Sequence, residues 1–412
     1  MTVTAGKDYA IIQAENLKKR GILTLKSLEY LKEITKFKHR GSATKNEREA
    51  AEFITKKIGE MSYEIEKHIF KTTRDNLYLL PLRVGLLLLV AGFCSLLYQG
   101  FWQQIAALLL SIFALSLLLL EVSGKPVETG LLPRYLSQNV FTKLNESYGK
   151  RIIVSAHYDT QRGSIMFHPR IVDKIGMIYN ISYIGFGLIP IGILLNIFNL
   201  NTVASIILYI ALVIVFANVG FMSICEVTGR YTQGANDNGT GVALAMMLAE
   251  YYMNNKDKFP DDVDVVFLFT GSEEAGERGM KNFISEYQKK LSKNTEFVIL
   301  DNLGTGKITY LEGEGMIFYK KAGKMLLDIA EGVARGYNGK VQRAKNLLLP
   351  TDALPIMAAG FNAIAFLGKD EKGRLDNYHW YTDTIENVDI ELLACEEEFF
   401  KEYLIKVAQR LD

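Results

Sequence analysis

Two long stretches without a single charged residue constrain this chain more than anything else in it. The first runs from Val84 to Leu120, VGLLLLVAGFCSLLYQGFWQQIAALLLSIFALSLLLL, broken by the polar-aromatic YQGFWQQ; the second runs from Ile175 to Cys225, broken by NIFNLNTVAS. In a chain that is 23% charged overall, such runs predict membrane spans rather than buried core hairpins, since about 20 apolar residues cross a bilayer core. The legs of the first run are short and borrow Leu79, Leu80 and Trp102, so four transmembrane helices in two hairpins are expected. Lys71, Arg74 and Arg83 precede the first hairpin and Lys125 and Arg134 follow it; Arg170 and Lys174 precede the second and Arg230 follows it. The connecting loops near 99–104 and 196–203 carry no Lys or Arg. The positive-inside rule therefore places the non-membrane sequence on the cytoplasmic side. Each hairpin returns the chain to the side it left, so residues 1–78, 122–174 and 226–412 are expected to build one domain, interrupted at 79–121 and 175–225.

The remaining composition narrows the function. A net charge of +1 and a pI near 7.6 leave no global basic field to recruit nucleic acid. Cys94, Cys225 and Cys395 show neither a CxxC pair nor a metal-finger spacing, so no disulfide framework or structural zinc site is expected. The N-terminal MTVTAGKDYAIIQAENLKKR lacks the apolar core of a cleaved secretory signal. Oligomeric state is not readable.

Outside the spans, strand and helix patterns alternate. Thr44 and Glu47 make a capping box before the helical AAEFITKKI, which Gly59 is expected to end, and YEIEKHIF alternates like a strand. NVFTKL and RIIVSA read as strands. After the second hairpin come a helix GVALAMMLAEYY, the strand VDVVFLF, a helix around 279–291, strands EFVILD and ITYLEG, a helix near 320–336, the strand NAIAFL and a helix from about Asp389. VDVVFLF and EFVIL hardly alternate, as expected when both sheet faces are covered. The fold class is therefore α/β, a central and mostly parallel sheet between helical layers.

Chemistry-bearing residues collect at the strand ends, where open α/β sheets hold ligands. RIIVSA runs into His157, Tyr158 and Asp159; VDVVFLF runs into Glu273 and Glu274; FVIL ends at Asp301; GANDNGTG carries Asp237; and DNYHWYTDT supplies His379 and Asp383. Adjacent glutamates could be a solvated helix start that complements the dipole. Two imidazoles with several carboxylates and no thiolate suit zinc or a similar divalent ion, in numbers sufficient for two.

The order H-x-D, D-N within GANDNGTG, E-E, D and a late H before T-D-T resembles the di-zinc aminopeptidases of clan MH, which also include glutamate carboxypeptidase-type enzymes and the transferrin receptor ectodomain. The resemblance covers roughly residues 25–75 and 138–410. It implies a zinc-dependent metallopeptidase with a phosphorylase/hydrolase-like aminopeptidase fold and two zinc ions per subunit. His157 and Asp301 would hold one ion, Glu274 and His379 the other, and Asp237 would bridge them. Glu273 is then left as the general base acting on a water between the metals, while Asp159 orients His157. Asp383 would support His379, and the Asp237–Asn238 bond would be cis. Trp380 and Tyr381 replace smaller residues and are expected to narrow the cleft. The second hairpin separates His157 from Asp237, so its ends, near Arg170 and Arg230, are expected at the cleft rim.

The expected activity is that of a membrane-integrated exopeptidase, an aminopeptidase on short peptides. A carboxypeptidase of the same clan is the near alternative, and a receptor or scaffold on the same fold is the distant one. A transporter is disfavoured, because the spans carry no ionisable site at mid-membrane. Thr351 and Asp352 resemble the family's Ser-Asp segment before a Gly-Phe turn, where a helix cap and a substrate contact are equally expected, and are not counted as ligands; His39, His68 and His168 are assigned no chemistry. LGTGK at 303–307 lacks the phosphate-loop pattern.

Overall fold

The computed structural model describes residues 25–74, 77–125, 135–145 and 147–411. The N-terminal stretch read for a secretory signal and the flanking Arg134 lie outside the described residues. The chain begins with helices α1 (Lys26–Ile34) and α2 (Lys45–Glu60), strand β1 (Ile65–Thr72) and the paired helices α3 (Leu79–Leu97) and α4 (Phe101–Val122). Strands β2 (Tyr135–Thr142), β3 (Lys150–His157) and β4 (Arg162–Gly163) lead to the paired helices α5 (Ile175–Ile197) and α6 (Asn201–Thr228). Then follow β5 (Arg230–Tyr231), α7 (Gly241–Asn254), β6 (Val263–Thr270), α8 (Arg278–Tyr287), β7 (Asn294–Leu300), β8 (Lys307–Glu314) and β9 (Lys320–Lys321). The chain closes with α9 (Lys324–Ala334), β10 (Val341–Asn346), α10 (Ala353–Ala358), β11 (Asn362–Lys369) and α11 (Ile390–Leu411).

Nine strands form one sheet in the order β1-β2-β6-β3-β7-β11-β8-β10, with β9 against β8. The centre, β6-β3-β7-β11, is parallel throughout, as expected for strands buried on both faces. The margins are not: β2 runs antiparallel to β6 and to β1, and β8 antiparallel to β11. The loop between β7 and β8 is too short for a crossover, and it turns the chain back.

Alternate residues of the central strands feed two cores. Ile152, Val154 and Ala156 point to the layer of α1, α2, α7, α9 and α11. Ile153, Val266 and Leu268 point to the layer of α8 and α10. Helix α2 runs through Gly59 to Glu60 instead of ending there, because Ile54 and Ile58 keep its face buried to the last turn. Helix α8 ends at Tyr287, short of the expected 291.

Among the described residues, four helices are long and apolar enough to cross a membrane, and they comprise both uncharged stretches. They share one core, in which Val84, Leu88, Ala114, Ile189, Leu208 and Val215 are fully buried. Apolar side chains also face outward, Val213 at 70% and Phe216 at 68% exposure, which a lipid surround would tolerate and water would not. Small residues let the helices approach: a Cβ on Gly192 would sit 2.6 Å from Leu208 and one on Gly92 2.8 Å from Leu212. At the roots of the helices, Tyr78, Met166, Phe167, Tyr179 and Met222 pack with Tyr378 and Trp380 of the soluble part. The short β4-β5 ribbon, pairing Arg162 with Tyr231, ties the start and finish of the second excursion together.

Candidate metal centre

All the motif residues lie at the carboxyl edge of the parallel centre. β3 ends on His157; Glu273 and Glu274 stand in the turn after β6; Asp301 directly follows β7. Asp237 stands in the distorted turn Ala235–Thr240 that opens α7, and its bond to Asn238 is cis, as the resemblance implied. His379 comes from the irregular segment after β11 and takes a left-handed φ of 49°. Tyr378 stacks on its ring at 3.8 Å and Phe167 meets it edge-on at 4.5 Å.

The five expected ligands come together in two donor sets around Asp237. His157, Asp237 and Asp301 form one cluster and Asp237, Glu274 and His379 another, with ligand atoms of each within 4.8 Å of one another and every residue buried. Oδ1 of Asp237 lies 3.2 Å from His157 Nε2, which is 3.3 Å from Asp301 Oδ1. Oδ2 of Asp237 lies 3.0 Å from His379 Nε2, which is 3.2 Å from Glu274 Oε2. One carboxylate thus turns an oxygen toward each set. Glu273 forms a third group with His157 and Glu274. It lines a small cavity shared with His157, Asp237, Asp301 and His379, and also the wider cleft outside.

Electrostatics argue that this arrangement wants cations. Asp159, Asp237, Glu273, Glu274, Asp301, Asp352 and Asp383 are all buried here, against the two imidazoles and one buried guanidinium, Arg40. Burial pushes Glu273 well above the usual carboxylate range and Glu274 up to about 8, with neighbouring carboxylates adding to the effect. Burial opposes a charged His157, but Glu273 and the adjacent carboxylates of Asp159, Asp237 and Asp301 outweigh it and hold the imidazole well up. Burial likewise opposes a charged His379, yet Glu274 and Asp237 raise it to about 10. Asp237 alone is pulled down: the imidazoles of His157 and His379 beside it overcome its burial. Both directions express one surplus of negative charge in a low-dielectric site. Oε1 of Glu274 and Oδ2 of Asp237 are buried without a hydrogen-bond partner among the described residues. A hard or borderline divalent ion at each donor set would satisfy these atoms and neutralise the surplus, so the residues fit a metal pair.

Several supports could not be read from the motifs. The Asp159 carboxylate accepts the backbone N–H of Glu273 at 2.9 Å and of Glu274 at 3.1 Å, in addition to lying 3.6 Å from His157 Nδ1. Gln161 Nε2 donates to Glu274 Oε2 at 3.1 Å. Arg40 donates to the carbonyls of Tyr158, Gln233 and Gly234 beneath the site. Asp383 does not support His379 as expected; its oxygens accept from the backbone N–H of Asn236 at 2.6 Å and Asp237 at 3.2 Å, fixing the bridging aspartate instead. Nor do Trp380 and Tyr381 wall the cleft. Trp380 packs edge-on to His168, and the Tyr381 hydroxyl donates to the Gly163 carbonyl at 2.8 Å, so both brace the root of the second hairpin.

Fold and donor sets are consistent with the di-zinc aminopeptidase clan that the motifs resemble. Residues 219–402 match the family model for Peptidase family M28. No curated protein matches the sequence. Among solved structures, a Zn-dependent exopeptidase from Parabacteroides distasonis ATCC 8503 is similar at 11% identity and a TM-score of 0.55, covering 93% of this chain and 96% of its own. A leucine aminopeptidase precursor from Bacteroides thetaiotaomicron VPI-5482 is similar at 12% identity and a TM-score of 0.53, covering 93% and 95%. Porphyromonas gingivalis glutaminyl cyclase is similar at 13% identity and a TM-score of 0.52, covering 92% and 97%. At such identities the likeness is one of fold.

Proposed function

We propose that this chain is a membrane-integrated exopeptidase with two zinc ions, most simply an aminopeptidase that hydrolyses short peptides at the cytoplasmic face. The observation that carries the reading is the division of Asp237, with one oxygen toward His157 and Asp301 and the other toward Glu274 and His379. In this reading those residues hold the two ions, and residues 1–78, 122–174 and 226–412 form the peptidase domain around hairpins 79–121 and 175–225. Zinc at such a site supplies a Lewis acid for the peptide carbonyl and brings the pKa of a bound water from ~15.7 toward ~7.

The chain's own residues do the rest. Glu273, facing both the inner cavity and the cleft, takes a proton from the attacking water and passes it to the leaving amine. One carboxylate thus serves as base and then as acid. Asp159 holds the backbone of both glutamates and Gln161 steadies Glu274, which leaves Glu273 free to move the proton.

The test is metal analysis of the purified chain, together with turnover of amino-acid amides, dipeptides blocked at either end, and a peptide with N-terminal glutamine. Two zinc ions and hydrolysis requiring a free amino terminus are expected. Hydrolysis requiring a free carboxylate would make it a carboxypeptidase, and ring closure of the glutamine would favour the chemistry named for the glutaminyl cyclase neighbour. Glu273→Gln should lose about 100-fold or more in kcat with both metals retained. Unchanged turnover would mean that the two glutamates have been assigned the wrong roles.

A further inference from the structure

We propose that the substrate of this site is an amphiphile: a peptide or amide whose apolar part lies among the membrane helices while its scissile amide reaches the metal centre. The proposal rests on the peptidase reading and adds the substrate class. Its basis is a cleft with two unlike ends. The inner end presents Gln161, Glu273, Glu274 and His379. The outer wall is built from the apolar helices themselves: Leu80 and Pro81 in the first turn of α3, Leu118 and Val122 in the last turns of α4, and Tyr179 and Tyr183 in the first turns of α5.

The charges at that wall are already matched. Glu121, the charged residue that ends the first uncharged stretch, takes Arg278 Nη2 at 2.8 Å and Lys281 Nζ at 3.0 Å, and the same Lys281 lies 2.8 Å from Glu277. Two acids and two bases sit there together, so the wall offers a substrate apolar contact rather than net charge.

The mouth continues the same chemistry. Met316 and Leu349 line the cleft, and the residues beside them, Ile317, Phe318, Leu347 and Leu348, are between 40% and 57% exposed. These belong to two separate loops, after β8 and after β10. Both touch the start of α5: the Tyr183 hydroxyl donates to Met316 Sδ at 3.7 Å, and Leu348 packs against Gly176. The turns of α3, α4 and α5 that line the cleft are terminal ones, the level at which a spanning helix meets the headgroups and where tyrosines gather. An apolar apron at that level opens toward lipid, so a partitioned chain reaches the metal centre without crossing water.

Full-length, zinc-loaded protein in phosphatidylcholine nanodiscs supplies the test. Amino-acid amides carry a two-carbon or a twelve-carbon chain, placed on the N-terminal residue or on the leaving amine. The expected kcat/KM is about 10-fold or more higher for the longer chain in one of the two positions. Leu118→Trp, which fills the wall, should reduce that preference to about two-fold or less, whereas the volume-conserving Leu118→Met should keep it; partitioning into lipid is the same for all three proteins. If Leu118→Trp loses its metals, Val122→Phe takes its place. Equal kcat/KM for both lengths in both positions, or a preference that survives the filled wall, overturns the proposal and leaves the peptidase reading standing. No turnover of any amide by protein carrying both metals overturns that reading itself.

Discussion

Asp159 shows how one side chain can govern a centre from behind it. Its carboxylate receives the backbone of Glu273 and Glu274 and lies 3.6 Å from His157 Nδ1, so it holds the glutamate turn and sits against one imidazole of the proposed metal centre. Asp159→Ala is expected to weaken metal retention by about 10- to 100-fold against a chelator, beyond any loss of turnover. Metal retention equal to that of the unaltered chain would show that the turn holds its shape without it. The H-x-D spacing made the contact to His157 readable, but the two contacts to Glu273 and Glu274 span more than a hundred residues and no local pattern announces them. Glu47 is similar. The expected capping box is half formed, with Thr44 Oγ1 accepting from Glu47 N at 3.3 Å. The glutamate's own oxygens accept from Ala43 N, Ser137 Oγ and the Ser272 N–H beside the Glu273–Glu274 turn. A cap signature describes one turn of helix, and a buried carboxylate with neighbours from two other elements exceeds what it can describe.

Among the elements, those whose periodicity is strong were readable: β3, β6, β7, β11, α7 and α11 all fall where the sequence predicts them. β10, with the polar sequence VQRAKN, and the six-residue α10 were not read, since the first is a half-exposed strand at the sheet margin and the second is too short for a period. Helix α11 carries a consequence for pH. Its Glu396 is fully buried, accepts the Gly304 N–H at 2.9 Å just beyond Asp301, and leaves Oε2 without a hydrogen-bond partner among the described residues. Burial pushes its carboxyl up to about 8. In the unfolded chain it would ionise near its ordinary value of 4.5, so between those two pH values the folded state holds a proton that the unfolded state releases. The stability it contributes is complete below the unfolded value and is lost as pH rises through about 8. Glu396→Gln mimics the neutral form, and its midpoint of thermal unfolding should exceed that of the unaltered chain at pH 8.5 while matching it near pH 5. The gain scales at about 1.4 kcal/mol for each tenfold difference in proton affinity between the folded and unfolded carboxyl. A difference of the same size at both pH values would assign the effect to packing.

At the scale of the whole molecule, the absence of charge across residues 84–120 and 175–225 was enough to predict two pairs of long apolar helices. Their assembly into one four-helix cluster was not, because helix faces in an apolar run carry no periodic signal. The proposed orientation rests on the flanking basic residues and can be checked in a variant lacking Cys94, Cys225 and Cys395, with a single cysteine at Gln99 or at Lys258. A membrane-impermeant thiol reagent applied to intact cells should label the first and spare the second; the reverse pattern would invert the proposed orientation.

The order of strands in the sheet also dictates how the chain can be made. β3 pairs on one side with β6 and on the other with β7, and both are synthesised only after the second hairpin. At translation speeds of ~5–20 residues per second, the middle strand of the sheet waits several seconds with both edges bare while residues 175–225 and the chain after them are made. Biogenesis of this chain is therefore exposed at its centre rather than at its ends, and any delay over that apolar stretch lengthens the time in which the ribbon is open to the wrong neighbour.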